Sequence, residues 1–157
     1  MLRPYHRNIA KRVIKSPKLY FLDTGLLSYL LRYPDADTLR AGPMAGAFFE
    51  NFIVTEALKL RCHTRGPFEL YFYRDSNQQE IDVVVESAQK FLLLEIKLSK
   101  TPSPDDAAVM KRQFALFPRA RGAVLSFAEE TIRGAESIEI GPWTRLYELL
   151  NSFAEAK

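Results

Sequence analysis

Residues 91–98 read FLLLEIKL, six apolar side chains interrupted only by Glu95 and Lys97. Near-continuous apolar sequence over strand length marks a strand covered on both faces, because a strand with one wet face alternates apolar with polar residues. This segment demands a sheet around it and helices on both sides. The preceding residues 80–86 do alternate, with Ile81, Val83 and Val85 on one face and Glu80, Asp82 and Val84 on the other. Residues 87–90 form a four-residue connection, so the two segments are expected to pair as an antiparallel hairpin with Glu86 facing Phe91.

The rest of the chain supplies the other layers. Residues 68–73 have the aromatic density of a strand and 74–79 the polarity of a turn, which extends the hairpin to a three-stranded antiparallel meander. Residues 45–62 place Phe49, Phe52, Ile53, Ala57 and Leu60 at helical spacing, with Asn51, Thr55 and Lys59 expected on the solvent side. Residues 19–31 lead into a helix with Asp23 or Thr24 as its N-cap, and 34–43, rich in Pro, Asp and Gly, read as a loop. A helix over 105–117 between strands at 91–98 and 121–127 makes a right-handed crossover to a parallel strand the natural connection. A short strand near 137–140 and a helix over 143–153 complete an α/β domain, a mixed sheet of antiparallel meander plus parallel crossover strand flanked by helices. At 157 residues the chain is expected to form one compact domain, a size that hides roughly 70% of the unfolded surface.

No stretch approaches the roughly 20 apolar residues that span a bilayer, and the apolar run 19–22 is too short for a signal-peptide core. No membrane contact and a cytoplasmic location are therefore expected. The single cysteine, Cys62, excludes an internal disulfide. Cys62 beside His63, with only His6 elsewhere, leaves too few soft ligands for a structural zinc site. The net charge of +3 is unevenly spread: residues 1–18 carry Arg3, Arg7, Lys11, Arg12, Lys15 and Lys18 and no acid, leaving 16 basic against 19 acidic residues. Residues 1–18 are read as a basic arm or linker from a preceding domain, and 19–157 as the folded domain. Arg3, Arg7, Lys11, Arg12 and Lys15 are the candidates for contact with a nucleic-acid backbone, the alternative being a solvated linker. Lys111 and Arg112 stand in the same balance between phosphate contact and a solvated helix face.

Counting back from Glu86 opposite Phe91 sets Asp82 opposite Glu95 and Glu80 opposite Lys97, with Asp82, Glu95 and Lys97 on one face. Directly opposed residues have Cβ atoms about 4.5–5.5 Å apart, and like charges there repel. Such carboxylates need a cation, a shared proton or exposure. A hard divalent ion, Mg²⁺ or Mn²⁺, answers the need, since Mg²⁺ is commonly held by one or two carboxylates with water and phosphate completing its shell. Lys97, inside an otherwise apolar strand, requires a negative partner, and its ammonium can orient a water or stabilise charge on a phosphoryl oxygen. Glu50 precedes Ile53 and Val54 by three and four residues, so it borders the apolar stripe and can reach a metal directly or through its ligands. The plainer alternatives are a surface ladder of ion pairs for the strand residues and, for Glu50, a helix acid favoured by the dipole. Phe68, Tyr71, Phe72 and Tyr73 can stack bases, but filling the core is the ordinary use of strand aromatics.

The helix glutamate, the Asp of EIDVVV and the LEIK of the next strand resemble the signature of the PD-(D/E)XK nuclease superfamily. More closely, NIAKRVIKSPKLYFLDTGLLSYLL, GAFFENFIVTEALK, LYFYRDSNQQEIDVVVE and LLLEIKLS resemble the uncharacterised C-terminal domain found on many prokaryotic AAA-type ATPases, over about residues 8–126. The resemblance implies a restriction-endonuclease-like fold. It implies Asp82 and Glu95 as metal ligands, Lys97 as the catalytic lysine and Glu50 as the helix carboxylate, all four serving catalysis. It also implies DNA and an AAA-type ATPase module of the same protein as partners. Ile81 stands where the superfamily often has proline, and no GxxxxGK(S/T) loop occurs in the chain. Two functions are expected from this reading: metal-dependent phosphodiester hydrolysis on DNA, or a non-catalytic regulatory or partner-binding module with a degenerate nuclease site.

Overall fold

The computed structural model describes residues 1–5, 16–64, 67–133 and 137–155. Its strands are β1 (Arg3–Pro4), β2 (Glu69–Arg74), β3 (Glu80–Ser87), β4 (Lys90–Ile96), β5 (Ala120–Ser126), β6 (Ile132–Arg133) and β7 (Ile138–Pro142). Its α-helices are α1 (Thr24–Leu30), α2 (Ala36–Ala41), α3 (Ala45–Thr64), α4 (Ala108–Gln113) and α5 (Leu146–Glu155). The strands form one mixed sheet in the order β1-β2-β3-β4-β5-β7-β6. The meander β2-β3-β4 is antiparallel, β5 runs parallel to β4, and β7 parallel to β5.

β4 is central, as its apolar sequence requires, and Leu93 and Leu94 are fully buried on its two faces. Leu92, Leu94 and Ile96 pack with Ile53, Val54 and Ala57 of α3 and Leu150 of α5. On the other face Phe91 and Leu93 meet Met110 of α4, Phe117 and Val124. Burying a side chain of this size stabilises by about 1.5–3 kcal/mol, so the two clusters hold helices against both faces. Glu86 pairs with Phe91 as counted, but Ser87 and Lys90 also pair, which shortens the connection to two residues. Those residues, Ala88 and Gln89, have φ of 46° and 63°, the paired left-handed geometry that matches strand twist in a two-residue hairpin.

Three local readings change. Residues 34–43 contain a helix, not only loop, because the Asp35 side chain accepts the Thr38 N–H at 2.7 Å and caps α2. Asp23 caps α1 in the same way, accepting from Leu26 N–H at 2.9 Å. The span 105–117 divides into a 3₁₀ turn (Pro104–Ala107), α4 and a second 3₁₀ turn (Phe114–Leu116). Asn51 and Thr55, expected toward solvent, are buried at 5% and 1% exposure. Asn51 accepts the Phe21 N–H and donates to the Phe21 carbonyl, both at 2.8 Å. The segment before α1 thus covers a face of α3 that periodicity had left to water.

Both described ends of the basic N-terminal stretch are tied into this domain. Leu2 is buried in the core, Arg3 and Pro4 pair with Tyr71 and Phe72, and Leu2 and Lys18 exchange backbone hydrogen bonds at 2.8 and 2.9 Å. Among the described residues, no helix is long and apolar enough to cross a membrane.

Candidate metal centre

A break in alternation on β3 builds the centre. Tyr71 pairs with Val84 and Tyr73 with Ile81, so Phe72 faces two residues, Asp82 and Val83. This is a β-bulge, in which one extra residue disturbs the pleat. Ile81 consequently packs in the same layer as Val84, while Val83 and Val85 pack in the other. The simple alternation of Ile81, Val83 and Val85 on one face is corrected by that extra residue. Asp82 is brought within reach of α3: one carboxylate oxygen each from Glu50, Glu80 and Asp82 lies within 4.8 Å of the others.

The β3-β4 ladder runs to Val83 opposite Leu94. Just beyond it, Asp82 Oδ2 accepts the Ile96 N–H at 2.8 Å. Glu80, counted as the partner of Lys97, instead pairs with Arg74 across β2 and with Lys18. The bulge and the end of the ladder are the physical reasons. Lys18 Nζ also lies 3.0 Å from Glu50 Oε1, the same oxygen that accepts the Tyr20 hydroxyl at 2.5 Å. Lys97 Nζ pairs with Glu95 Oε1 at 2.8 Å. The other oxygen, Glu95 Oε2, is buried without a hydrogen-bond partner among the described residues.

The electrostatics favour an added cation. Burial first, then the charges of Glu95 and Glu50, push the Asp82 carboxyl up to about 8 despite the Ile96 N–H and Lys18. Burial likewise raises Glu95, against the pull of Lys97, with Glu80 and Glu50 adding to the rise. Burial opposes the Lys18 ammonium, but its bonds to Glu80 and Glu50 hold it above its ordinary value. Lys97 is raised in the same manner, burial opposing and Glu95 prevailing. Tyr20 is held well up by burial and by its bond to Glu50. The available donors are carboxylate oxygens, the set that Mg²⁺ and Mn²⁺ take, and an orphaned buried oxygen beside them fits the same use.

Of the residues singled out in the sequence, Glu50 and Asp82 share the three-carboxylate group, while Glu95 and Lys97 form a pair beside it, coupled to Asp82 through charge. Glu80, Lys18 and Tyr20 are additional members. Lys18 and Tyr20 stand two apart in an extended segment, a spacing that puts both on one side, but nothing local indicates that the side is α3. Phe68 and Phe72 belong to the core, and Tyr71 and Tyr73 pack against the opposite cluster. Cys62 is exposed and forms no disulfide. Arg3 lies exposed on β1, whereas Arg7, Lys11, Arg12 and Lys15 fall outside the described residues.

A sequence model described as a domain of unknown function (DUF4143) matches residues 45–146, and a second, domain of unknown function (DUF8612), matches residues 1–37. The first takes in Glu50, Glu80, Asp82, Glu95 and Lys97; the second takes in Lys18 and Tyr20. The chain is also similar to the uncharacterised proteins Rv2008c of Mycobacterium tuberculosis and Mb2031c of Mycobacterium bovis, 38% identical to each over 102 residues. That stretch is 65% of this chain and 22% of each relative, so the match takes in less than a quarter of their length.

Proposed function

This chain belongs to the DUF4143 family of domains of unknown function, and from that premise we propose that it is a restriction-endonuclease-like domain of the PD-(D/E)XK kind, hydrolysing phosphodiesters of DNA with a divalent metal. The observation that carries the reading is a set of carboxylates from β3, β4 and α3 in which desolvation first, and then the charges of Glu95 and Glu50, drive Asp82 toward protonation, while Lys97 stands beside Glu95. Mg²⁺ or Mn²⁺, when bound, supplies charge that polarises a phosphate oxygen and lowers the pKa of a bound water. Asp82 and Glu80 of β3 and Glu50 of α3 would hold the ion from two backbone segments, with Glu95 of β4 beside them. Lys97, with 37% of its side chain exposed, turns its ammonium toward the reacting phosphate and stabilises the charge that develops there. An AAA-type ATPase module of a longer protein is the proposed partner. The greater length of the mycobacterial relatives leaves room for one.

The test is cleavage of plasmid and single-stranded DNA in Mg²⁺ or Mn²⁺. Wild type cuts, and Lys97→Ala or Asp82→Asn lowers the rate by about a hundredfold or more, with circular dichroism unchanged. Equal residual cutting in all three proteins would show that these residues do no chemistry.

A second reading, a non-catalytic module that docks a partner, is favoured by one observation. Leu19, Leu22, Leu26, Tyr29 and Leu30 are each more than half exposed, on and just before α1. Apolar side chains gathered on one segment mark interaction surfaces more often than isolated ones do. Calorimetric titration with Mn²⁺ separates the two: a degenerate site shows no saturable binding that Asp82→Asn removes.

A further inference from the structure

The carboxylate group already contains a cation supplied by the chain itself. Lys18 Nζ contacts Glu80 Oε1 and lies 3.0 Å from Glu50 Oε1, so it bridges two of the three candidate ligands. Glu50 Oε1 accepts from both Lys18 and Tyr20, which occupies both of that oxygen's lone pairs. That oxygen cannot turn to an ion until one donor leaves. The buried Glu95 Oε2, with no hydrogen-bond partner among the described residues, shows that the neighbouring charge is still incompletely satisfied.

Charge balance indicates which donor leaves. Among the described residues, Glu50, Glu80, Asp82 and Glu95 carry four negative charges when ionised, against three positive ones paired with them on Lys18, Arg74 and Lys97. A divalent ion added to this set overshoots neutrality by one, and departure of one ammonium restores it. Arg74 is held by a cross-strand partner at the sheet, and Lys97 has Glu95. Lys18 is the cation seated directly between the ligands.

We propose that Lys18 is a built-in competitor for the metal, holding Glu50 and Glu80 in the ion-free protein and swinging out when a divalent cation enters. The inference rests on the metal-site reading above and adds a regulatory step to it. The backbone need not move, because Leu2 and Lys18 exchange two hydrogen bonds that pin the segment. Only the four-carbon stem rotates, away from the Phe72 ring whose centroid is 5.4 Å from Nζ, and such stems carry their charged heads readily to water. The competitor comes from residues 1–37, outside the part of the chain matched to DUF4143. Metal loading is thereby made sensitive to whatever displaces that segment.

The test is calorimetric titration of the full chain with Mn²⁺, comparing wild type with Lys18→Met, which keeps the apolar stem and removes the charge. The expected result is that Lys18→Met binds Mn²⁺ about tenfold or more tightly, the size of effect expected when a close, partly buried charge competitor is removed. Unchanged or weaker binding by a folded Lys18→Met overturns the competitor role while leaving the metal site standing. Absence of saturable binding in both proteins removes the site and this inference together. Reductive methylation of wild type, read by mass spectrometry at Lys18, needs no variant. Labelling should quicken several-fold when Mn²⁺ is present, and equal labelling with and without Mn²⁺ speaks against displacement.

Discussion

Asp82 accepts the backbone N–H of Ile96 at 2.8 Å, immediately past the last paired residues of the β3-β4 ladder. A side chain has taken over hydrogen bonding where the strands separate. The carboxylate is thereby fixed between two strands, half-buried, and within range of the charges of Glu95 and Glu50. An aspartate in that position can relieve its electrostatic penalty by taking a proton or by sharing a cation.

The pH dependence of stability follows from that penalty. The folded-state pKa of Asp82 is about 8, against about 3.9 in an unfolded chain. Between these values the folded protein keeps a proton that the unfolded chain has released. Metal-free stability is therefore greatest below about pH 4 as far as this group is concerned, and declines as pH rises toward about 8. The upward shift of Glu95 acts in the same direction. Thermal unfolding in EDTA should show the melting temperature falling from pH 5 to 8, with Asp82→Asn flattening the slope. Mn²⁺ should raise the wild-type midpoint more at pH 8 than at pH 5. A metal-free midpoint that climbs across this window contradicts the assignment.

Asn51 clamps the segment that carries Lys18 and Tyr20 by pairing with both backbone groups of Phe21. Asn51→Leu removes two hydrogen bonds and leaves partly buried backbone groups without partners. The expected cost is about 2–3 kcal/mol, a fall of about 5–10 °C in melting temperature for a domain of this size. Urea denaturation should show the loss as a shifted midpoint at constant slope. A change below the error of the measurement would mean the clamp is replaced by water at no cost.

The β3-β4 hairpin turns on Ala88 and Gln89, neither of which is suited to the positive φ it adopts. Replacing the pair by Asn-Gly supplies the residues that this turn geometry favours. Ala88→Asn with Gln89→Gly should stabilise by about 1 kcal/mol. Because the turn is remote from the carboxylates along β3 and β4, Mn²⁺ affinity should be unaltered. Destabilisation by the double substitution would argue against a two-residue left-handed turn at this place.

The central position of β4, the Glu86-Phe91 register and the inward stripe of α3 were all legible in the amino-acid order. Each depends on side-chain period or on a short connection, and both are local. Glu50, Asp82, Glu95 and Lys97 could be singled out for the same reason: charged groups in apolar elements stand out without knowledge of what surrounds them. The bulge that turns Asp82 toward α3 was not legible, because one extra residue in a strand leaves the composition of that strand unchanged. Nor was the use of Lys18, Tyr20 and Asn51, which meet their partners across about thirty residues of chain. Periodicity tells a residue which side of its own element it occupies; only the packing of one element on another decides which charges meet there.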